Sequence, residues 1–195
     1  MGLTKWLDPL FLEKNMFTYK DKPNRLISST RTSALLSESS SNINIPGLVE
    51  FLRSDFALDW RGIHGSPHWA RVLNNGTILG KAEGARLDVI TLFAFLHDHK
   101  RIHDSHDTEH GKLAVESAKN LRGVFFKIDD TGFDLLCEAM ENHSDGVVTG
   151  DITVKCCYDA DRLDLGRVGI MPKPIYLCTE TAKSIIAECY ERSIR

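Results

Sequence analysis

An all-α fold is predicted by three observations. Apolar residues recur at helical spacing in successive segments beyond Pro46. Several of these segments open on a residue suited to a helix start, such as Pro67 or Asp107. No alternating apolar–polar run of convincing strand length interrupts them.

In chain order, "PGLVEFLRSDF" reads as a short amphipathic helix. "PHWARVLNNGTILG" starts with Pro67, whose fixed φ suits a first helical turn. "ARLDVITLFAFLHD" carries β-branched and aromatic residues that would also suit a strand, but its length favours a helix buried nearly all round. "DTEHGKLAVESAKNL" opens with Asp107, a good N-cap. "DTGFDLLCEAMENHS" and "DITVKCCYDADRLDLG" follow, and "TETAKSIIAECYERS" closes the chain. Residues 1–45 read differently, with aromatic Trp6, Phe11 and Phe17, basic Lys20, Lys22, Arg25 and Arg31, and the run "SESSSN". We divide the chain into a partly ordered N-terminal extension, 1–45, and one helical domain, 46–195.

Composition narrows the function classes. At 195 residues and 42% hydrophobic content the chain can bury a core without staples. A net charge of -3 gives no bulk attraction to nucleic acid. No run of ~18 apolar residues offers a membrane span, and the first residues lack a secretory pattern. The five cysteines include no C-x-x-C pair, which argues against a disulfide framework or zinc-finger spacing and for a reducing cytoplasm. Oligomeric state is open, with the N-terminal extension as a contact arm.

The chemistry lies in polar residues on apolar stripes. Residues three or four apart share a helix face. Leu87, Ile90, Ala94 and His97 form one stripe, with Asp98 beside it. His110, Leu113, Ser117 and Leu121 form another; Phe133, Leu136, Met140 and His143 a third; Val154, Cys157, Asp161 and Leu165 a fourth; His68, Val72, Asn75 and Leu79 a fifth. Burying so many imidazoles and carboxylates becomes favourable when a cation sits among them. Neutral imidazole and carboxylate donors suit manganese, iron, nickel, zinc or, with more oxygen ligands, magnesium. The same test assigns Asp159, which falls with Lys155 and Arg162, to a solvated charged stripe, and Asp161 to the inner one. His99, His103 and His106 read as exposed residues of the connection after the third helix.

The segments "HWARV" (His68), "LHDHKR" (His97, Asp98), "EHGKLAVESAKNL" (His110), "ENHSDG" (His143) and "YDADRLDLGRVGI" (Asp161) occur in an order that resembles the HD superfamily of metal-dependent phosphohydrolases. The resemblance spans roughly residues 60 to 170 and is similar to a bacterial branch with HGxxHWxRV and DADRLDLGRVGI motifs. It implies a helical bundle with the metal site between helices. His68, His97, Asp98 and Asp161 would hold one ion; His110 and His143 would hold a second, with Asp98 bridging. It further implies hydrolysis of a phosphomonoester or phosphodiester, for example a nucleotide, by metal-activated water. Asp98 would accept the water's proton, and Arg71, Lys100, Arg101 and His64 would contact substrate. Many members follow the His-Asp pair with Ile-Gly-Lys, whereas "HKR" puts Arg101 at the lysine position, which changes the geometry of that cation. Two other readings share the ligand set: a di-iron oxygenase, and a non-catalytic nucleotide-binding or regulatory module.

Overall fold

The computed structural model describes residues 42–194. The expected extension therefore lies outside the described residues over 1–41, and only its end is seen. There Ile43 makes an isolated antiparallel bridge to Phe126, and the Asn44 side chain caps the first helix by accepting from Gly47 N at 3.1 Å.

The elements are α1 (Ile45–Asp55), α2 (Ser66–Glu83), α3 (Leu87–Leu96), α4 (His110–Leu121), α5 (Asp130–Asn142), α6 (Ile152–Arg162), two 3-10 turns, η1 (Leu165–Val168) and η2 (Pro174–Tyr176), then α7 (Glu180–Ser184) and α8 (Ile186–Ser193). No strand occurs among the described residues, so the all-α expectation is met. None of these helices is long and apolar enough to cross a membrane. All five cysteines are free of disulfides.

The packing explains why one helix is so apolar. α3 is the axial element: every residue from Val89 to Leu96 is buried, because α2, α5 and α6 pack around it. Gly76 on α2 lets the two axes close in, since a Cβ there would come within 2.5 Å of Ile90 Cγ2. Trp69 is fully buried and meets Phe56 and Trp60 edge-on, with ring centroids 5.2 Å away in both pairs, which ties α1 and the following loop to α2. Asp129 caps α5 by accepting from Gly132 N at 2.8 Å, and Asp151 caps α6 by accepting from Thr153 N at 2.7 Å.

Three local expectations change. Asp107 is not the cap of α4. That helix starts at His110, while the Asp107 carboxylate accepts from Ile102 N and Glu109 N and so organises the preceding loop. Leu113 is exposed, and the inner face of α4 is instead His110, Gly111, Ala114, Val115, Ala118 and Leu121. The closing helix is two pieces, α7 and α8, which meet at Ile185 with ψ near 10°.

Candidate metal centre

Five helices deliver six ligand-type side chains to one point. His68 comes from α2, His97 from the C-cap of α3 with Asp98 next to it, His110 from the first residue of α4, His143 from the C-cap of α5 and Asp161 from the last turn of α6. All but Asp161 are buried. The meeting of α4 and α5 depends on Gly111, where a Cβ would stand 2.5 Å from Met140 O. Glycine thus lets the start of α4 approach the end of α5, and His110 comes to lie against His143.

The six divide into two sets around Asp98. In the first, His68 Nε2 lies 3.0 Å from His97 Nε2, 3.5 Å from Asp98 Oδ2 and 3.3 Å from Asp161 Oδ1. In the second, His110 Nε2 lies 3.0 Å from His143 Nε2 and 3.3 Å from Asp98 Oδ1, and His143 Nε2 lies 3.6 Å from that same oxygen. His68, His97 and Asp98 are compact enough to hold a metal ion, and so are Asp98, His110 and His143.

Every imidazole has its other nitrogen tied down. His68 Nδ1 donates to Asp164 Oδ2 at 2.6 Å, His97 Nδ1 to Phe93 O at 3.0 Å, His110 Nδ1 to Asp107 O at 2.5 Å and His143 Nδ1 to Met140 O at 2.8 Å. In its neutral form, with the proton on Nδ1, each ring turns an Nε2 lone pair toward the centre. Two such lone pairs 3.0 Å apart repel unless a positive charge stands between or beside them. Asp98 Oδ1, buried and without a hydrogen-bond donor, makes the same demand. The donor set fits divalent transition metals.

The electrostatics agree. Burial and Arg167 oppose charge on His68, but the carboxylates of Asp161, Asp164 and Asp98 outweigh both and raise its pKa to about 9. Burial pulls His97 down to about 3. Despite their own burial, the imidazoles of His97, His143 and His68 hold Asp98 well below the usual carboxylate range, and His68 and Arg167 do so for Asp161. The pocket is thus built around carboxylates that stay ionised and a centre that favours positive charge.

Asp98, His143 and Asp161 from these sets line an open cavity of about 490 Å³, together with His64, Arg101, Arg162, Arg167 and Lys173. His64 donates from Nδ1 to Asp104 Oδ1 at 2.9 Å. Arg101 places Nη1 3.3 Å from His110 Nε2 and 3.6 Å from Asp98 Oδ1. The other two expected substrate contacts lie elsewhere. Lys100 pairs with Asp55 at 2.6 Å, and Arg71 donates to both oxygens of Asp164, at 2.5 and 3.1 Å; neither lines the cavity. Arg71 instead steadies the carboxylate that orients His68.

Two readings, one from a helix stripe and one from a connection, are corrected. Asp159 is fully buried rather than solvated, and its carboxylate accepts from Cys178 N at 2.7 Å, Thr179 N at 2.9 Å and Thr179 Oγ1 at 2.8 Å. His99 is also buried, held by Leu96 O at 2.6 Å and Ser117 Oγ at 2.8 Å, while His103 and His106 are exposed. Asp164, Arg162, Arg167 and Lys173 were missed. Asp164 and Arg167 lie beyond the end of α6, at the start of and within the 3-10 turn η1, where no helical stripe marks them.

No protein-family model matches the sequence, and no curated protein matches it significantly. Among solved structures, the chain is similar to the crystal structure of a predicted HD superfamily hydrolase from an uncultured Thermotogales bacterium, at 24% identity and a TM-score of 0.61, over 78% of this chain and 88% of that one. The bundle expected from the sequence motifs is thus found in a solved fold.

Proposed function

We propose that this chain is a metal-dependent phosphohydrolase of the HD superfamily, acting on a phosphomonoester or phosphodiester. The observation that carries the reading is the division of Asp98, one oxygen facing His68 and His97, the other facing His110 and His143. A carboxylate that offers one oxygen to each of two imidazole pairs would suit two metal ions.

His68, His97, Asp98 and Asp161 would hold one ion, and Asp98, His110 and His143 the other. When bound, such ions supply Lewis acidity toward a water molecule and toward phosphoryl oxygens. The chain's own residues do the rest. Arg101 and Arg167 bring positive charge to the wall beside the ligands, where it stabilises charge that develops on a phosphoryl group. Arg167 is braced for this by donating from Nε to Ile63 O at 2.9 Å. His64 orients substrate from the side of α2. Asp98 Oδ1 receives no hydrogen bond from the protein and would be left to serve the second ion.

The cations on the cavity lining fit an anionic substrate such as a phosphoester, and oxygen dependence separates hydrolysis from oxygen chemistry on the same ligands. The test is metal analysis of protein purified with and without air, followed by a panel of phosphomonoesters and phosphodiesters with each metal restored. Phosphate release that does not depend on oxygen supports the reading. Oxygen consumption without phosphate release overturns it.

A further inference from the structure

The cavity has two chemistries, and the proposed hydrolysis uses only one. Its floor and inner sides are charged. The segment after Gly169 lines it mainly with apolar residues: Ile170, Met171, Pro172 and Tyr176, with Lys173 the one cation among them, and Ile170, Met171 and Tyr176 are 53%, 49% and 57% exposed. Large apolar side chains left this open at the mouth of a charged cavity signal something that covers them. A covering partner would need the rim alone and would explain no cation at depth. One molecule with an anionic head and an apolar body explains both.

The wall is also fixed in advance. Asp159 anchors its far end through Cys178 N and Thr179, and Arg162 Nη1 donates to Tyr176 O at 3.0 Å. At its near end Ile170 N donates to Leu165 O at 3.1 Å, and Gly169 makes the turn at φ 77°, a conformation that favours glycine. Side chains on a pinned backbone lose little freedom when a ligand covers them, and that raises affinity.

From this bipartite cavity, and resting on the phosphohydrolase reading, we propose that the substrates are phosphate esters with an apolar leaving group. The phosphate faces Arg101 and Arg167, and the organic body lies on Met171, Tyr176 and Ile170. Small polar esters would use the floor and leave the wall uncovered.

The test separates binding from turnover. Methyl-, butyl- and hexylphosphonate, which have no ester bond to break, are titrated calorimetrically into the metal-loaded full chain. The matching alkyl phosphates, whose leaving alcohols are close in acidity, are assayed for phosphate release. Affinity should rise about two- to fourfold per methylene along the series, as expected for burying CH₂ groups. The substitutions Met171→Ser and Tyr176→Ser should flatten that slope. Ile175→Ser, in the same segment and 76% exposed but outside the cavity lining, should keep it. A flat slope in the parent chain, no binding of any phosphonate, or a slope that survives both wall substitutions overturns the proposal. A rising affinity with no hydrolysis of any ester keeps the apolar wall and overturns the hydrolase. Hydrolysis with a flat affinity slope does the reverse.

Discussion

Asp98 Oδ1 stands 3.3 Å from His110 Nε2 while Oδ2 of the same carboxylate stands 3.5 Å from His68 Nε2. One side chain therefore joins two imidazole sets carried by four different helices. Asp98→Asn should lower metal content toward zero, because it removes an anionic ligand from both proposed sites. Replacing both His110 and His143 with alanine should leave a folded protein that keeps about one ion per chain and loses phosphoester hydrolysis. Metal per chain by plasma mass spectrometry reads both outcomes. Activity that survives the double substitution would sink the two-metal hydrolase.

Asp159 and Asp161 provide a paired test, since they lie two residues apart and serve different ends. Asp161→Ala should lower metal content while leaving the helical signal intact. Asp159→Ala should do the opposite, because it strands three buried donors around residues 178 and 179. Each unsatisfied buried group costs about 1–3 kcal/mol, so the melting temperature of the metal-loaded protein should drop by several degrees or more while metal stoichiometry holds. Equal metal loss in both variants would contradict the separation of roles.

The same pair shows what the sequence does and does not reveal. Helix periodicity located the apolar faces, so the bundle and the convergence of His68, His97 and His143 could be read from spacing. Asp159 was misread because the stripe test compares a residue only with neighbours on its own helix. Its real partners, Cys178 and Thr179, are about twenty residues away and arrive by tertiary packing. Arg162, which made that stripe look solvated, is itself only 7% exposed and turned toward Tyr176 O. His99 differs for a related reason: the segment after α3 reads as open loop, but Ser117 on α4 closes over it. Short 3-10 turns such as η1 and η2 leave no periodicity to detect, and so the cavity wall was not anticipated.

His99 sets an acid limit on stability. Burial holds its pKa down to about 4, against 6.5 when unfolded. The unfolded chain therefore binds the proton first, and stability rises with pH across this window. The contribution is complete above about 6.5 and is lost as pH falls toward 4, at most ~3 kcal/mol from a shift of this size. His99→Gln, which cannot titrate, should be less stable than the parent at pH 7, and the gap should close or reverse by pH 4.5. Urea unfolding of chelated protein at several pH values gives the comparison. A gap independent of pH would mean that His99 is not held neutral.

Arg101 separates a substrate cation from a structural one. Its guanidinium lies 3.3 Å from His110 Nε2 and 3.6 Å from Asp98 Oδ1, so it shares two ligands with the proposed second ion. It also donates from Nη2 to Ser105 O at 3.0 Å, which could make it merely a brace for the loop before α4. The two roles predict opposite changes. A positive charge this close to a bound cation opposes it by Coulomb repulsion, on the order of 4 kcal/mol between unit charges about 4 Å apart at an effective dielectric near 20. Arg101→Gln should therefore tighten the second metal about threefold or more while phosphoester hydrolysis falls at least tenfold, because charge on the phosphoryl group is no longer met. Arg101→Lys keeps the charge without the planar fork and should recover part of the activity. A brace would behave otherwise: Gln would loosen the loop, His110 would lose its position, and second-site affinity would fall together with activity. Metal titration of each variant beside its hydrolysis rate distinguishes the cases. Weaker second-site binding in Arg101→Gln, with no rescue by lysine, would remove Arg101 from the catalytic machinery.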